Sequence, residues 1–174
     1  MPGRSIHWVN GVEPFRLALM ARPRGGDWLS DEVVRWSNAG VDTVVSLLES
    51  HEVRELDLGA ERTLCANQGI EFRSFPVPDR GIPADRGAFI GLVRELHAEM
   101  LEGNAVAIHC RAGIGRTALL AGCLLSMLDV PAKDIFGLLS TARGMPVPDT
   151  QAQADWVRKY APLSGSARQH GDGR

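Results

Sequence analysis

Ala105-Val106-Ala107-Ile108-His109-Cys110-Arg111-Ala112-Gly113-Ile114-Gly115-Arg116-Thr117 passes from a short apolar run, through a glycine-containing loop, into the apolar stretch Ala118 to Leu128. The first run has the length and composition of a central strand. The second is apolar nearly all round, as in a helix buried within a core. In α/β sheets, ligands sit off the carboxyl ends of the strands, which is where this loop falls. The loop itself has the makings of an anion site. Successive backbone N–H groups converge where a helix begins, and the helix dipole adds about half a positive charge there. Gly113 and Gly115 let the chain curl tightly, and Arg116 adds a planar two-pronged clamp suited to phosphate oxygens. Cys110 stands at the mouth. Positive surroundings favour a thiolate over a thiol, and the thiolate is the nucleophile. A nucleophile facing a phosphate cradle implies phosphoryl transfer to sulfur.

Outward from this loop, strand-like and helix-like segments alternate. Ile6 to Val9, Phe15 to Met20, Val41 to Leu48, Glu71 to Val77 and Ala105 to His109 read as strands. Asp31 to Asn38, capped by Ser30 and stopped by Gly40, reads as a helix, as does Glu52 to Asn67 with a break near Gly59. Asp85 to Leu101 keeps helical apolar spacing, Pro131 opens a further helix to Arg143, and Thr150 or Asp149 caps a last one to Tyr160. The expected architecture is a single α/β domain over residues 1–160, its central mostly parallel sheet flanked by helices, with 161–174 as a flexible tail. Three loops then meet at the carboxyl edge of the sheet: Glu49 to Glu52, Pro76 to Pro83, and Cys110 to Thr117.

Composition narrows the class. The 174 residues are 44% hydrophobic and 23% charged, which suits one globular domain and excludes a disordered, collagenous or coiled-coil chain. A net charge of −2 without runs of one sign does not suggest a nucleic-acid-binding surface. Ala118 to Leu128 is too short to span a bilayer, and the first residues carry no signal-peptide core. Cys65, Cys110 and Cys123 are odd in number and widely spaced, so a reduced, cytoplasmic chain is expected. Cys65 and Cys123 read as core residues. No metal-ligand spacing joins the histidines, and Arg22 and Arg24 read as solvated loop charges.

His109-Cys110-x-x-Gly113-x-x-Arg116-Thr117 matches H-C-x-x-G-x-x-R-[ST], and by this the chain resembles the cysteine-dependent protein phosphatases. Five matched positions arise by chance in fewer than about one in ten thousand chains of this length. The resemblance implies a metal-independent and cofactor-independent phosphomonoester hydrolase working through a cysteinyl phosphate. It assigns Cys110 as nucleophile, and Arg116 with the amides of Arg111, Ala112, Gly113, Ile114 and Gly115 as the phosphate cradle. Asp79 in Val77-Pro78-Asp79 takes the place of the general acid. Pro78-Asp79-Arg80-Gly81 is also good turn chemistry by itself. Classical tyrosine phosphatases have Trp-Pro-Asp there, so this chain is similar to the compact dual-specificity type. Gln153 (with Gln151 as substitute) would place the water of the second half-reaction. Glu49 would hold Arg116, His109 would shape the loop from behind, and Thr117 would stabilise the leaving thiolate. The implied partner is a phosphorylated protein or small phosphate ester, met by a monomer without nucleic acid or membrane.

Competing motifs fit less well. Gly113-Ile-Gly115-Arg-Thr-Ala118 matches a dinucleotide pattern but lacks a following acidic residue at a second strand's end. Low-molecular-weight phosphatases place the acid after the cysteine, whereas Asp79 precedes Cys110. Lipid phosphatases usually carry Lys where Arg111 and Ile114 stand, and an acidic chain disfavours an RNA 5′-phosphatase. A catalytically poor phosphate-binding scaffold is the competitor from another class.

Overall fold

In the computed structural model, which describes residues 4–166, five strands form one sheet in the order β1-β2-β5-β3-β4. They are β1 (His7–Trp8), β2 (Leu17–Met20), β3 (Thr43–Ser46), β4 (Glu71–Ser74) and β5 (Val106–His109). β1 runs antiparallel to β2 and the other pairings are parallel. The seven α-helices among the described residues are α1 (Leu29–Asn38), α2 (Ser50–Glu55), α3 (Glu61–Asn67), α4 (Arg86–Leu101), α5 (Arg116–Met127), α6 (Ile135–Arg143) and α7 (Gln151–Ser166).

The period-2 alternation of the strands divides the core in two. Leu17, Leu19, Val45, Val106 and Ile108 face one layer, completed by Phe89, Val93 and Leu96 of α4, nearly the whole of α5, and Trp156 and Val157 of α7. Ala18, Met20, Val44 and Ala107 face the other, against Val33 and Trp36 of α1 and Cys65 of α3. β5 lies between β2 and β3 and is buried throughout, which explains its uninterrupted apolar run. β4 is the edge strand, and its side chains are half-buried or exposed.

Register places the site. Met20 pairs with His109, His109 with Ser46, and Ser46 with Ser74. Four parallel strands therefore end level, and the loops that follow them emerge side by side along one edge.

Several boundaries differ from expectation for local reasons. A 3-10 turn over Gly26–Trp28 leads directly into α1, so Ser30 lies inside the helix rather than capping it. The helix expected over Glu52 to Asn67 is two helices, with Asp57 at φ 53 in the turn between them. Residues after Pro131 make one turn, Asp134 N–H to Pro131 O at 2.9 Å, before α6 begins. Thr150 caps α7 through a reciprocal box: Gln153 N–H donates to Thr150 Oγ1 (3.2 Å) and Thr150 N–H to Gln153 Oε1 (3.1 Å). α7 continues to Ser166, beyond the expected end at Tyr160, and the tail from 167 lies outside the described residues. Among the described residues no helix is long and apolar enough to cross a membrane.

Candidate active site

Cys110 follows β5 directly, is only 2% exposed, and accepts a hydrogen bond at Sγ from Thr117 Oγ1 at 3.0 Å. The turn back from Cys110 to Thr117 depends on Gly113, whose φ of +73° favours glycine. A β-carbon there would also run into the backbone of Met20 and Ala21. The orientation of the loop's peptides follows from where their carbonyls go. Arg111 O accepts from Arg22 N–H (3.1 Å), Ala112 O from Arg143 Nη2 (2.9 Å) and Gly113 O from Arg143 Nε (3.2 Å). In a trans peptide the next N–H points opposite to the carbonyl, so the amides of Ala112, Gly113 and Ile114 turn away from these donors. Arg143, in the last turn of α6, thus orients the cradle from behind, and its Nη1 meets His7 Nε2 at 3.3 Å. Desolvation, then the Arg143 charge, lowers the His7 pKa, which keeps the ring neutral beside the guanidinium.

Arg116 opens α5 and is buried. Its fork meets Glu52 with two parallel bonds, Nη1 to Oε2 at 2.7 Å and Nη2 to Oε1 at 2.9 Å, and Nη1 also donates to Val77 O at 3.0 Å. Glu52, not Glu49, holds the arginine. The two acids are three residues apart at the start of α2, and their positions in the first turn decide the matter. Glu49 is the N-cap and partly exposed, whereas Glu52 at the third helical position reaches back to accept Glu49 N–H at 2.9 Å. That return points its carboxylate at the strand end, where Arg116 lies. Burial alone would raise the Glu52 pKa, but the hydrogen bonds from Arg116 and the Glu49 amide and the Arg116 charge outweigh it, holding the carboxyl below its ordinary range. Burial likewise opposes the Arg116 charge, and the Glu52 bond with the charges of Cys110, Glu52 and Asp79 keeps its pKa above the usual value.

Asp79 lies across the opening, 57% exposed, with Oδ1 3.2 Å from Arg116 Nη2. Its loop is fastened at four points. Val77 N–H donates to Leu47 O (3.0 Å), Gly81 N–H to Pro78 O (2.8 Å), Gln153 Nε2 to Gly81 O (3.1 Å), and Arg80 pairs with Asp149 at 3.3 Å. Gln153 is fully buried and packs against Gly115, where a β-carbon would stand 2.8 Å from its Oε1. Gln151 instead donates to Asp155 Oδ1 at 2.9 Å on the exposed face of α7. Asp79, Arg80, Cys110, Arg111, Ala112, Ile114, Gly115, Arg116 and Asp149 enclose a pocket of about 250 Å³. A larger groove, about 750 Å³, opens at the opposite end of the sheet beside the α5–α6 connection and contains none of these residues. Size alone does not find the chemistry here.

His109 is buried behind the cysteine, with Nε2 2.6 Å from Glu61 Oε1 and Nδ1 3.4 Å from Cys110 O. The histidine comes from β5 and the carboxylate from α3, a pairing that sequence spacing does not announce. Cys65 and Cys123 are buried in opposite layers. Desolvation, with the Glu61 charge, pushes the Cys65 thiol up to about 12, and burial raises Cys123 well above its ordinary value, so both stay protonated and inert.

Arg143, Glu52 and Glu61 are site-supporting residues that sequence reasoning missed. Arg143→Ala is expected to lower kcat/KM for 4-nitrophenyl phosphate about ten-fold and to weaken inhibition by inorganic phosphate similarly, as expected from losing two charged hydrogen bonds. Arg143→Lys recovers only part, because an ammonium does not span two carbonyls. Steady-state kinetics with phosphate as inhibitor makes the check.

A buried thiol at a strand end, a guanidinium locked beside it and a carboxylate loop over both are the arrangement expected of a cysteine-dependent phosphatase. The chain matches the family described as Swiss Army Knife protein, DSP-PTPase phosphatase domain, over residues 5–171, and it belongs to that family. Similar curated proteins include cyclin-dependent kinase inhibitor 3 of Rattus norvegicus, 30% identical over 94 residues, covering 53% of this chain and 44% of that protein. Protein tyrosine phosphatase PRL-1 of Leishmania major is 28% identical over 119 residues, covering 63% of this chain and 66% of that protein. The aligned regions thus leave a third or more of each relative's length unmatched. Among solved structures, kinase associated phosphatase (KAP), determined with its catalytic-site cysteine replaced by serine, superposes with a TM-score of 0.84 at 20% identity. That superposition covers 95% of this chain and 98% of KAP, and it shows the shared fold.

Proposed function

We propose that this protein hydrolyses phosphate monoesters of proteins, as a dual-specificity or tyrosine phosphatase, through a phosphocysteine intermediate. The observation that carries the reading is the convergence of Cys110 Sγ, the Arg116 fork and the Asp79 carboxylate on one pocket. Cys110 thiolate attacks phosphorus, and the bond to the leaving oxygen breaks as Asp79 delivers its proton there. Arg116 and the amides of the loop neutralise the equatorial oxygens. Glu52 holds Arg116 in register without touching substrate. In the second half, water attacks the phosphocysteine, Asp79 takes its proton, and the sulfur leaves as thiolate into the hydrogen bond from Thr117. We assign the orientation of that water to Gln153, whose carboxamide lies against Gly115 and shares Gly81 with the acid loop. A pocket open at the Asp79 side suits phosphoserine and phosphothreonine as well as phosphotyrosine. A monomer acting in the cytoplasm without metal or cofactor completes the reading, and three free cysteines support that setting.

The test is hydrolysis of 4-nitrophenyl phosphate against pH with EDTA present, for wild type and Asp79→Asn. A bell-shaped, EDTA-insensitive profile is expected in the wild type. Asp79→Asn should lower kcat by roughly 10²- to 10⁴-fold and abolish the alkaline limb. A folded wild type without turnover transfers the weight to phosphate binding alone.

A further inference from the structure

Of the carbonyls from Cys110 to Gly113, those of Arg111, Ala112 and Gly113 are taken by the Arg22 amide and by Arg143. The carbonyl of Cys110 faces His109 instead. Strand alternation turns Ile108 and Cys110 into the layer of α4 and α5 and His109 into the opposite one, so the histidine beside the nucleophile points away from it. There its ring centroid lies 6.3 Å from that of Trp36, and Nε2 meets Glu61 Oε1 of α3 at 2.6 Å. Nδ1 turns back to Cys110 O at 3.4 Å. Both side chains of the pair are buried. Arg54 and Arg62 line a cavity of about 370 Å³ with Glu61, but both are exposed, and Arg62 donates to Phe72 O at 3.2 Å. Cys65, one turn further along α3, keeps its proton. The buried end of the Glu61 carboxylate is thus left to His109.

The donors at this ring have to balance the acceptors around it. An ionised carboxylate and a carbonyl both accept, and a neutral imidazole has only one N–H to offer. A bare Nε2 against the carboxylate, or a bare Nδ1 against the carbonyl, sets lone pair against lone pair in a buried site, where the repulsion is strongest. Both contacts are bonds only when the pair holds two protons, one on Nδ1 and one between Nε2 and Oε1. Whether the second lies nearer nitrogen or oxygen does not alter the first. A carboxylate at one ring nitrogen in this way decides what the other carries. With Nδ1–H donating to Cys110 O, the trans peptide turns the Arg111 N–H to the opposite side, into the cradle.

We propose that Glu61 is a positioning residue of the reaction: it keeps a proton on His109 Nδ1 and, through the Cys110 carbonyl, aims the Arg111 amide at the phosphate. The proposal rests on the phosphatase reading and deepens it by extending the working machinery to α3, on the face of the sheet away from α5. Glu61 itself touches neither substrate nor the reacting atoms. Leucine in its place leaves the ring a single proton, free to sit on either nitrogen, and the Arg111 amide loses its fixed direction. Glutamine preserves the arrangement, since its carboxamide N–H donates to Nε2 and leaves Nδ1 protonated.

Long-range nitrogen–proton NMR spectra of protein labelled in its histidines read the proton in the resting enzyme, with His109→Asn identifying the His109 signals. The wild type should show Nδ1 protonated throughout neutral pH. Glu61→Gln should keep that signature and stay within about three-fold of wild-type kcat/KM for 4-nitrophenyl phosphate. Glu61→Leu should lose it, with kcat/KM about ten-fold lower and inhibition by inorganic phosphate weakened alike, the scale of one hydrogen bond to a charged group. A bare Nδ1 in the wild type, or wild-type kinetics in a folded Glu61→Leu, overturns the proposal. Glu61→Gln decides alone where Glu61→Leu does not fold: Nδ1 bare, or protonated with activity lost, overturns it equally. A wild type without turnover overturns the phosphatase reading, whereas the proton on Nδ1 and phosphate binding are still measured and test Glu61 separately.

Discussion

Cys110→Ser is expected to reduce turnover of 4-nitrophenyl phosphate by at least about 10⁴-fold while leaving a folded protein that still binds phosphate. A serine hydroxyl is almost wholly protonated where a thiol is readily ionised, and the nucleophile carries a loss of that order when removed. The cradle is untouched by the change. Gly113, the carbonyls gripped by Arg143 and the Arg116–Glu52 fork are all outside the substituted atom. The Thr117 hydroxyl, 3.0 Å from Sγ, has an oxygen to donate to in its place. Kinetics, thermal melting and phosphate binding on the same preparation check this. Wild-type turnover in the folded variant would remove Cys110 from the mechanism. Acid quenching of the wild type during turnover should trap one phosphate per chain, absent from Cys110→Ser.

Glu52→Ala is expected to cost both stability and rate. Removing one partner of a buried pair leaves the other charge uncompensated, a loss of about 3–5 kcal/mol, which lowers Tm by on the order of 10 °C for a domain of this size. Activity should fall further than that of Glu49→Ala, because Arg116 loses the fork that orients it toward the pocket. Glu49→Ala removes only an N-cap side chain and should cost about 1 kcal/mol with kcat/KM nearly retained. The pH dependence carries a sign. The Glu52 carboxyl is depressed in the folded state, so its stabilisation is present above the unfolded value of ~4.3 and is lost as pH falls through the folded one. Melting curves of wild type and Glu52→Ala should therefore converge toward acid pH. Curves that stay parallel down to pH 3 would show that the carboxylate is not what the arginine stabilises.

The catalytic loop is legible because its chemistry is written within one turn of chain. Cys110, Gly113, Arg116 and Thr117 are fixed relative to one another by a strand end, a tight turn and a helix start, all set by neighbouring residues. Asp79 was legible for a weaker reason: its loop follows a strand that parallel topology brings to the same edge. Gln153 was singled out only through the family resemblance, and the capping box it forms with Thr150 is a structural role in its own right.

The supporting shell was another matter. Glu49 and Glu52 have the same side chain and lie three residues apart, and only the position at which α2 starts tells which carboxylate faces Arg116. Arg143 and Glu61 reach the loop from helices at sequence separations of 30 and 48 residues. Such partners are chosen by how helices pack on the sheet, and packing depends on side-chain volumes across both layers rather than on any local pattern. Chemistry confined to consecutive residues therefore follows from the order of amino acids, because covalent geometry holds the groups together. The residues that aim and brace that chemistry come from distant segments, and only the packed fold, by burying them against the loop, selects one glutamate over its neighbour.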